Sequence, residues 1–102
     1  MLELRPTCEH CNQALPPEST EARICSFECT FCQNCVEGIL SNVCPNCGGG
    51  FTARPHRPVH NWKGNNHLGI YPASATVKHR PVDLRVHAQF AAGIKSIPPE
   101  QR

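Results

Sequence analysis

Residues 22–35 read ARICSFECTFCQNC, and residues 43–51 read VCPNCGGGF. Six cysteines lie in these stretches as three close pairs: Cys25 with Cys29, Cys32 with Cys35, and Cys44 with Cys47. A fourth pair, Cys8 with Cys11, stands upstream, and no cysteine follows Cys47. Four pairs of thiols suit two tetrahedral sulfur sites. The first half of the chain is therefore expected to be built around two metal ions.

Cys44-Pro45-Asn46-Cys47-Gly48 is the most specific local signal. Two thiolates separated by two residues can reach one ion, while the turn between them aims backbone N–H groups at the sulfurs. Proline fixes φ within such a turn, and the glycine after it supplies positive φ. Cys8-Glu9-His10-Cys11-Asn12 reads as a second knuckle, with Asn12 expected in the left-handed region. Cys32-Gln33-Asn34-Cys35 runs instead into VEGIL at residues 36–40, a short helical segment. A helix N-terminus favours the thiolate form of such a pair.

Energetics point the same way. Residues 1–50 contain few large apolar side chains: Leu15, Ile24, Phe27, Phe31, Val36, Ile39, Leu40 and Val43, with Phe51 just beyond. Ordering the backbone costs about 1–2 kcal/mol per residue. A structural zinc ion contributes an apparent ~10–16 kcal/mol in zinc-finger peptides. A segment this short usually needs metal or disulfides. Disulfides need an oxidising compartment. The N-terminus, MLELRPTCEH, has no basic n-region and no long apolar run. A cytoplasmic, reducing location is the expectation, and there CxxC pairs mean metal or redox chemistry. A thioredoxin-type centre uses one CxxC on a βαβ scaffold, which four pairs do not match. Four-thiolate sites also suit iron, and zinc is the expected ion.

Charge divides the chain. Residues 1–50 hold two basic groups (Arg5, Arg23) and six acidic ones (Glu3, Glu9, Glu18, Glu21, Glu28, Glu37), a balance of −4. Residues 51–102 hold eight basic and two acidic groups, a balance of +6. Two four-thiolate zinc sites would take the first half to about −8 by charge counting. A surface of that sign repels phosphate.

The order C-x2-C, x13, C-x3-C, x2, C-x2-C, x8, C-x2-C resembles the RING finger spacing in an all-cysteine version. The similarity extends past the ligands. Cys29-Thr30-Phe31-Cys32 resembles the RING's fourth ligand, spacer, core phenylalanine and fifth ligand. Val36, Ile39 and Leu40 resemble its apolar helix, and CPNC resembles its last pair. The resemblance covers residues 5–50. It implies a small, metal-dominated α+β fold: a treble-clef, cross-brace double zinc finger. It also implies interleaved sites, with Cys8, Cys11, Cys32 and Cys35 on one zinc and Cys25, Cys29, Cys44 and Cys47 on the other. The alternative left open by spacing is sequential, the first four cysteines on one ion and the last four on the next. The chain also resembles a small bacterial family of cysteine-rich proteins without an established activity. ARICSFECTFCQNC, VCPNCGGGF, the RPxRP step and the YPAS segment carry that likeness, which implies zinc binding.

Downstream, Gly48, Gly49 and Gly50 close the metal module at residues 1–50. Residues 51–81 read as an extended basic arm, because Arg54-Pro55 and Arg57-Pro58 favour polyproline II. Its Trp62 and Tyr71 are candidates to pack on the module. Residues 82–97 read as one helix, with Asp83 as cap, the run from Leu84 to Ser96, and Pro98-Pro99 as the stop. Leu84, His87, Ala91 and Ile94 give it an apolar face to dock on the module or on another subunit. Residues 98–102 form a tail.

No nucleophile–base set, phosphate loop or paired carboxylate constellation is present, so no enzymatic activity is expected. Closed four-thiolate sites leave no coordination position for water. The favoured reading is a protein-interaction adaptor with structural zinc and an unidentified protein partner. Nucleic-acid binding is the first alternative: Arg54, His56, Arg57, His60, Trp62 and Lys63 interleave cations with an aromatic ring. A ubiquitin-ligase-like RING is a weaker one. Such RINGs usually present an apolar residue after the second ligand and a basic one after the last, where this chain has Asn12 and Gly48. Redox sensing by zinc release is a further alternative. His10 is expected to face solvent, His87 to pack, and the other histidines to bind no metal. No membrane partner is expected, and no pattern specifies an oligomeric state.

Overall fold

The computed structural model describes residues 1–102. Three short strands make one antiparallel sheet: β1 (Ala22–Ile24), β2 (Thr30–Cys32) and β3 (Thr52–Ala53), in the order β2-β1-β3. Helix α1 (Gln33–Gly38) follows β2 without a break, and α2 (Leu84–Ala92) stands near the C-terminus. A 3-10 turn at Pro99–Gln101 ends the chain.

The β1–β2 hairpin turns through the Cys25–Cys29 pair. Glu28 N–H donates to the Cys25 carbonyl, and Glu28 takes φ +67, which lets five residues reverse the chain. Ala22 then faces Cys32, Arg23 faces Phe31, and Ile24 faces Thr30. Strand β2 thus begins just after one cysteine of the second group and ends on one of the first. Three residues at a strand's rise set Cys29 and Cys32 about 10 Å apart.

The core is small. Of 102 residues, 19 are buried, and six of those are cysteines. Phe31 is its centre, edge-on to Phe51 with ring centroids 5.5 Å apart, among Leu15, Val36 and Leu40. An apolar core of that size is marginal for a domain of this length, so the thiols carry more than their volume.

The C-terminal half wraps this module. The sheet runs past the three glycines, because Thr52–Ala53 pairs with β1 where an extended arm was expected. Arg54 then goes inward. The residue is 3% exposed, and its guanidinium donates to the carbonyls of Arg5, Leu15 and Pro16 at 2.9–3.0 Å. Arg57 reaches the carbonyls of Tyr71 and Leu2, both at 2.7 Å. Of the two rings that were candidates to pack on the module, Trp62 is 78% exposed and Tyr71 also lies open. The arm is held through backbone groups and arginines, not through its rings.

Helix α2 is shorter than the expected run to Ser96, because it ends at Ala92 and the chain goes on in turns. Asp83 caps it, its carboxylate accepting from Arg85 and Val86 N–H at 3.1 Å. His87 and Ala91 are its buried residues, while Leu84 is exposed. The buried face is therefore the expected stripe without its first residue. It docks on the chain's own module, His87 Nε2 donating to the Leu40 carbonyl at 3.0 Å. His10, expected in solvent, is half-buried and accepts Val82 N–H on Nδ1 at 2.8 Å.

Candidate metal centres

The eight thiols are all free and fall into two groups. Cys8, Cys11, Cys32 and Cys35 place their sulfurs within 4.8 Å of one another. Cys25, Cys44 and Cys47 do the same. Cys29 belongs beside this second group: it lies against the thiols of Cys25 and Cys44, and Asn46 Nδ2 donates to its sulfur at 3.4 Å. It stands outside the tight trio, so the second group is looser than the first. The grouping is interleaved. The sequential pairing that spacing left open is not the one this fold makes.

Local structure explains the grouping. The first knuckle, Cys8–Cys11, is closed by Asn12 N–H donating to the Cys8 carbonyl, with Asn12 at φ +63. Glu9 N–H donates to the Thr30 carbonyl, and Thr30 N–H donates back to the buried Glu9 carboxylate at 2.6 Å. Arg5 braces that carboxylate at 2.8 Å. These bonds lay the knuckle along β2, beside Cys32, while α1 brings Cys35 round. The Cys44–Cys47 knuckle is closed by Gly48 N–H to the Cys44 carbonyl, with Gly48 at φ +77. Positive φ was expected at both Asn12 and Gly48, and both adopt it.

The sulfurs fit a tetrahedral ion. Zinc–sulfur bonds of about 2.3 Å in tetrahedral array put sulfurs about 3.8 Å apart. Cys11 and Cys32 lie 3.7 Å apart, far too long for a disulfide bond. Backbone N–H groups already point at the sulfurs: Phe27 to Cys25 at 3.3 Å, Asn46 to Cys44 at 3.4 Å, and Gly49 to Cys47 at 3.3 Å. Such bonds spread thiolate charge, the outer support of a metal site.

Charge bears on what the groups can hold as well. Burial pushes the thiols of Cys29, Cys32, Cys35 and Cys44 up, and neighbouring thiolates push Cys35 and Cys44 further. Burial opposes ionisation of Cys11 too, but the Gln13 N–H and the surrounding thiols hold it below the ordinary thiol value. Four sulfurs this close cannot all be anionic without a cation between them. A divalent ion removes the conflict, and its binding expels protons.

Several residues of the frame had no sequence signal. Arg54 reads as one cation of a basic arm, and nothing local marks it as buried. Glu9 sits inside a knuckle, where an exposed carboxylate would be ordinary. The only hint at Arg54 is its place just after Phe51, Thr52 and Ala53, a short strand pattern easily missed.

A chain with two interleaved cysteine groups, a three-stranded sheet and a short helix is a small cysteine-rich α+β protein able to hold two metal ions. Residues 1–57 match the family described as protein of unknown function (DUF1272), and the chain belongs to that family. An uncharacterized protein of Rhizobium meliloti (strain 1021) is 49% identical over 81 residues, covering 79% of this chain and 89% of the relative. No solved structure matches the chain. No helix is long and apolar enough to cross a membrane.

Proposed function

We propose that this protein is a non-catalytic interaction adaptor whose frame is held by two structural zinc ions, working in a reducing compartment. Cys8, Cys11, Cys32 and Cys35 would hold one ion, and Cys25, Cys29, Cys44 and Cys47 the other. The observation that carries the reading is the gathering of eight free thiols into two interleaved groups. The finer reading is a RING-like treble clef, supported by Phe31 at the core centre and by α1 directly after β2. Zinc suits all-thiolate tetrahedral sites, and its role here is to fix the fold.

The alternatives lose ground on particular residues. Nucleic-acid binding drew on Arg54 and Arg57, whose guanidinium groups are engaged on backbone carbonyls of the chain itself. A ligase-type RING needs the position after its last ligand open to a partner. At Gly48 an added Cβ would stand 3.4 Å from the Phe90 ring and 3.6 Å from Ile94. Helix α2 occupies that place.

Elemental analysis with thiol titration on the native protein tests the zinc reading. Two zinc ions per chain and no reactive thiol are expected. One metal, iron, or disulfides would overturn it. Filter binding across salt concentrations tests the nucleic-acid alternative, and no salt-sensitive retention is expected.

A further inference from the structure

The two cysteine groups are not equally closed. In the first, all four sulfurs lie within 4.8 Å of one another, and none of its thiols lines either of the two larger cavities. In the second, only Cys25, Cys44 and Cys47 meet that distance. A tetrahedral thiolate site sets sulfurs about 3.8 Å apart, so Cys29 must move inward to complete the set. Its support also differs. Cys25, Cys44 and Cys47 each accept a backbone N–H, whereas Cys29 accepts the side chain of Asn46 at 3.4 Å. Glu28, just before it, holds φ +67, a strained setting for a residue with a long side chain. Of the four sulfurs in this group, that of Cys29 is the least firmly held.

Cys29 also lies where a ligand can approach. It lines a pocket of about 430 Å³ together with Arg5, Lys78, His79, Arg80, Glu9 and Asn46. The Glu9 carboxylate is committed to Arg5 and to Thr30 N–H, and Glu3 bridges Arg5 and Lys78. Arg80 is exposed and joins none of these pairs. Three cations thus stand against two carboxylates, and the spare positive charge is that of Arg80. Four thiolates on a divalent ion leave two negative charges, which repel an anionic ligand. Cations at the opening offset that repulsion and favour the approach of an anion from this side.

We propose that the site of Cys25, Cys29, Cys44 and Cys47 is an exchange site: a small anionic chelator with carboxylate donors enters this pocket, displaces Cys29 and takes the ion away. The site of Cys8, Cys11, Cys32 and Cys35 keeps its ion. The exchange is a substitution without change of oxidation state. A donor oxygen bonds to the ion as the Cys29 sulfur leaves it, and that sulfur takes a proton from water. This rests on the reading of two zinc sites and adds that they are unequal.

The test exposes the metal-loaded full chain to EDTA, a carboxylate chelator, or to phenanthroline, which is neutral. Zinc retained is measured against time, and the thiols set free are alkylated and mapped by mass spectrometry. The expected course with EDTA has two phases of one ion each, with Cys25, Cys29, Cys44 and Cys47 labelled in the first. Lys78→Gln/Arg80→Gln is expected to slow that phase several-fold with EDTA and to leave it nearly unchanged with phenanthroline. Cys29→Ala is expected to retain two ions and to release the first several-fold faster, whereas Cys44→Ala retains one. Loss of both ions together overturns the proposal, as does labelling of Cys8, Cys11, Cys32 and Cys35 in the first phase. So does a double variant that slows neither chelator or both alike, or a Cys29→Ala chain that holds a single ion. Metal content at the outset separates the two readings. Fewer than two zinc ions before any chelator sinks the zinc frame itself, whereas two ions lost in one phase sink only the exchange.

Discussion

Arg54 shows how one side chain can hold a small fold together. Its guanidinium ties Arg5, Leu15 and Pro16, which belong to the N-terminal segment, to the end of β3. Burial without a carboxylate partner pushes its pKa down, and the three carbonyls are what keep its charge tolerable. Arg54→Met leaves three carbonyls without that donor and is expected to cost about 2–4 kcal/mol, by the cost of unpaired buried groups. Lys63→Ala, on the exposed loop, is expected to stay within about 0.5 kcal/mol. Denaturant unfolding of the metal-loaded chain checks both. The cysteines offer a sharper comparison. Cys8 and Cys35 share one group in this fold, whereas sequential pairing would divide them. The double variant Cys8→Ala/Cys35→Ala is expected to keep one metal ion, and elemental analysis would find none if the sites were sequential.

Among the elements, α2 depends on its cap and on its seat. Asp83→Ala removes the acceptor for Arg85 and Val86 N–H and is expected to cost about 1 kcal/mol, read as a lower melting temperature. Gly48→Ala adds a Cβ at positive φ, under Phe90 and Ile94, for a further strain of about 1–2 kcal/mol. The helix cap at Asp83 was legible in the sequence because capping is a contact between near neighbours. The buried face was legible in part. His87 and Ala91 belong to the spaced stripe and meet the module, whereas Leu84 of the same stripe is exposed. Periodicity gives a helix a face, but the partner surface decides how much of it is covered. Strand β3 was missed for a related reason: two residues after three glycines carry no alternation, and only the free edge of β1 makes them a strand.

Across the chain as a unit, the proposed zinc sites would make metal binding and folding one equilibrium. Buried thiols with raised pKa values hold their protons, and an ion must displace them to bind. Protons therefore compete with any ion that these thiols hold. The sign is fixed: binding weakens as pH falls, and acidification from neutral pH is expected to release zinc to an indicator dye. Chelation at neutral pH is expected to abolish the circular dichroism and chemical-shift dispersion of the module, because 19 buried residues in 102 cannot hold it unaided.

The cysteine pairs, their knuckles, the positive φ at Asn12 and Gly48, and the capacity for two metal ions all follow from residues within a few positions of one another. Chain order alone settles such features, since local geometry allows few other outcomes. Which pairs share an ion, why Arg54 turns inward, and how His10 and His87 anchor the C-terminal half are matters for the tertiary structure. Their bonds join residues 49, 72 and 47 positions apart. Contacts at that distance exist only when a whole surface has assembled, and no local pattern of residue types encodes them.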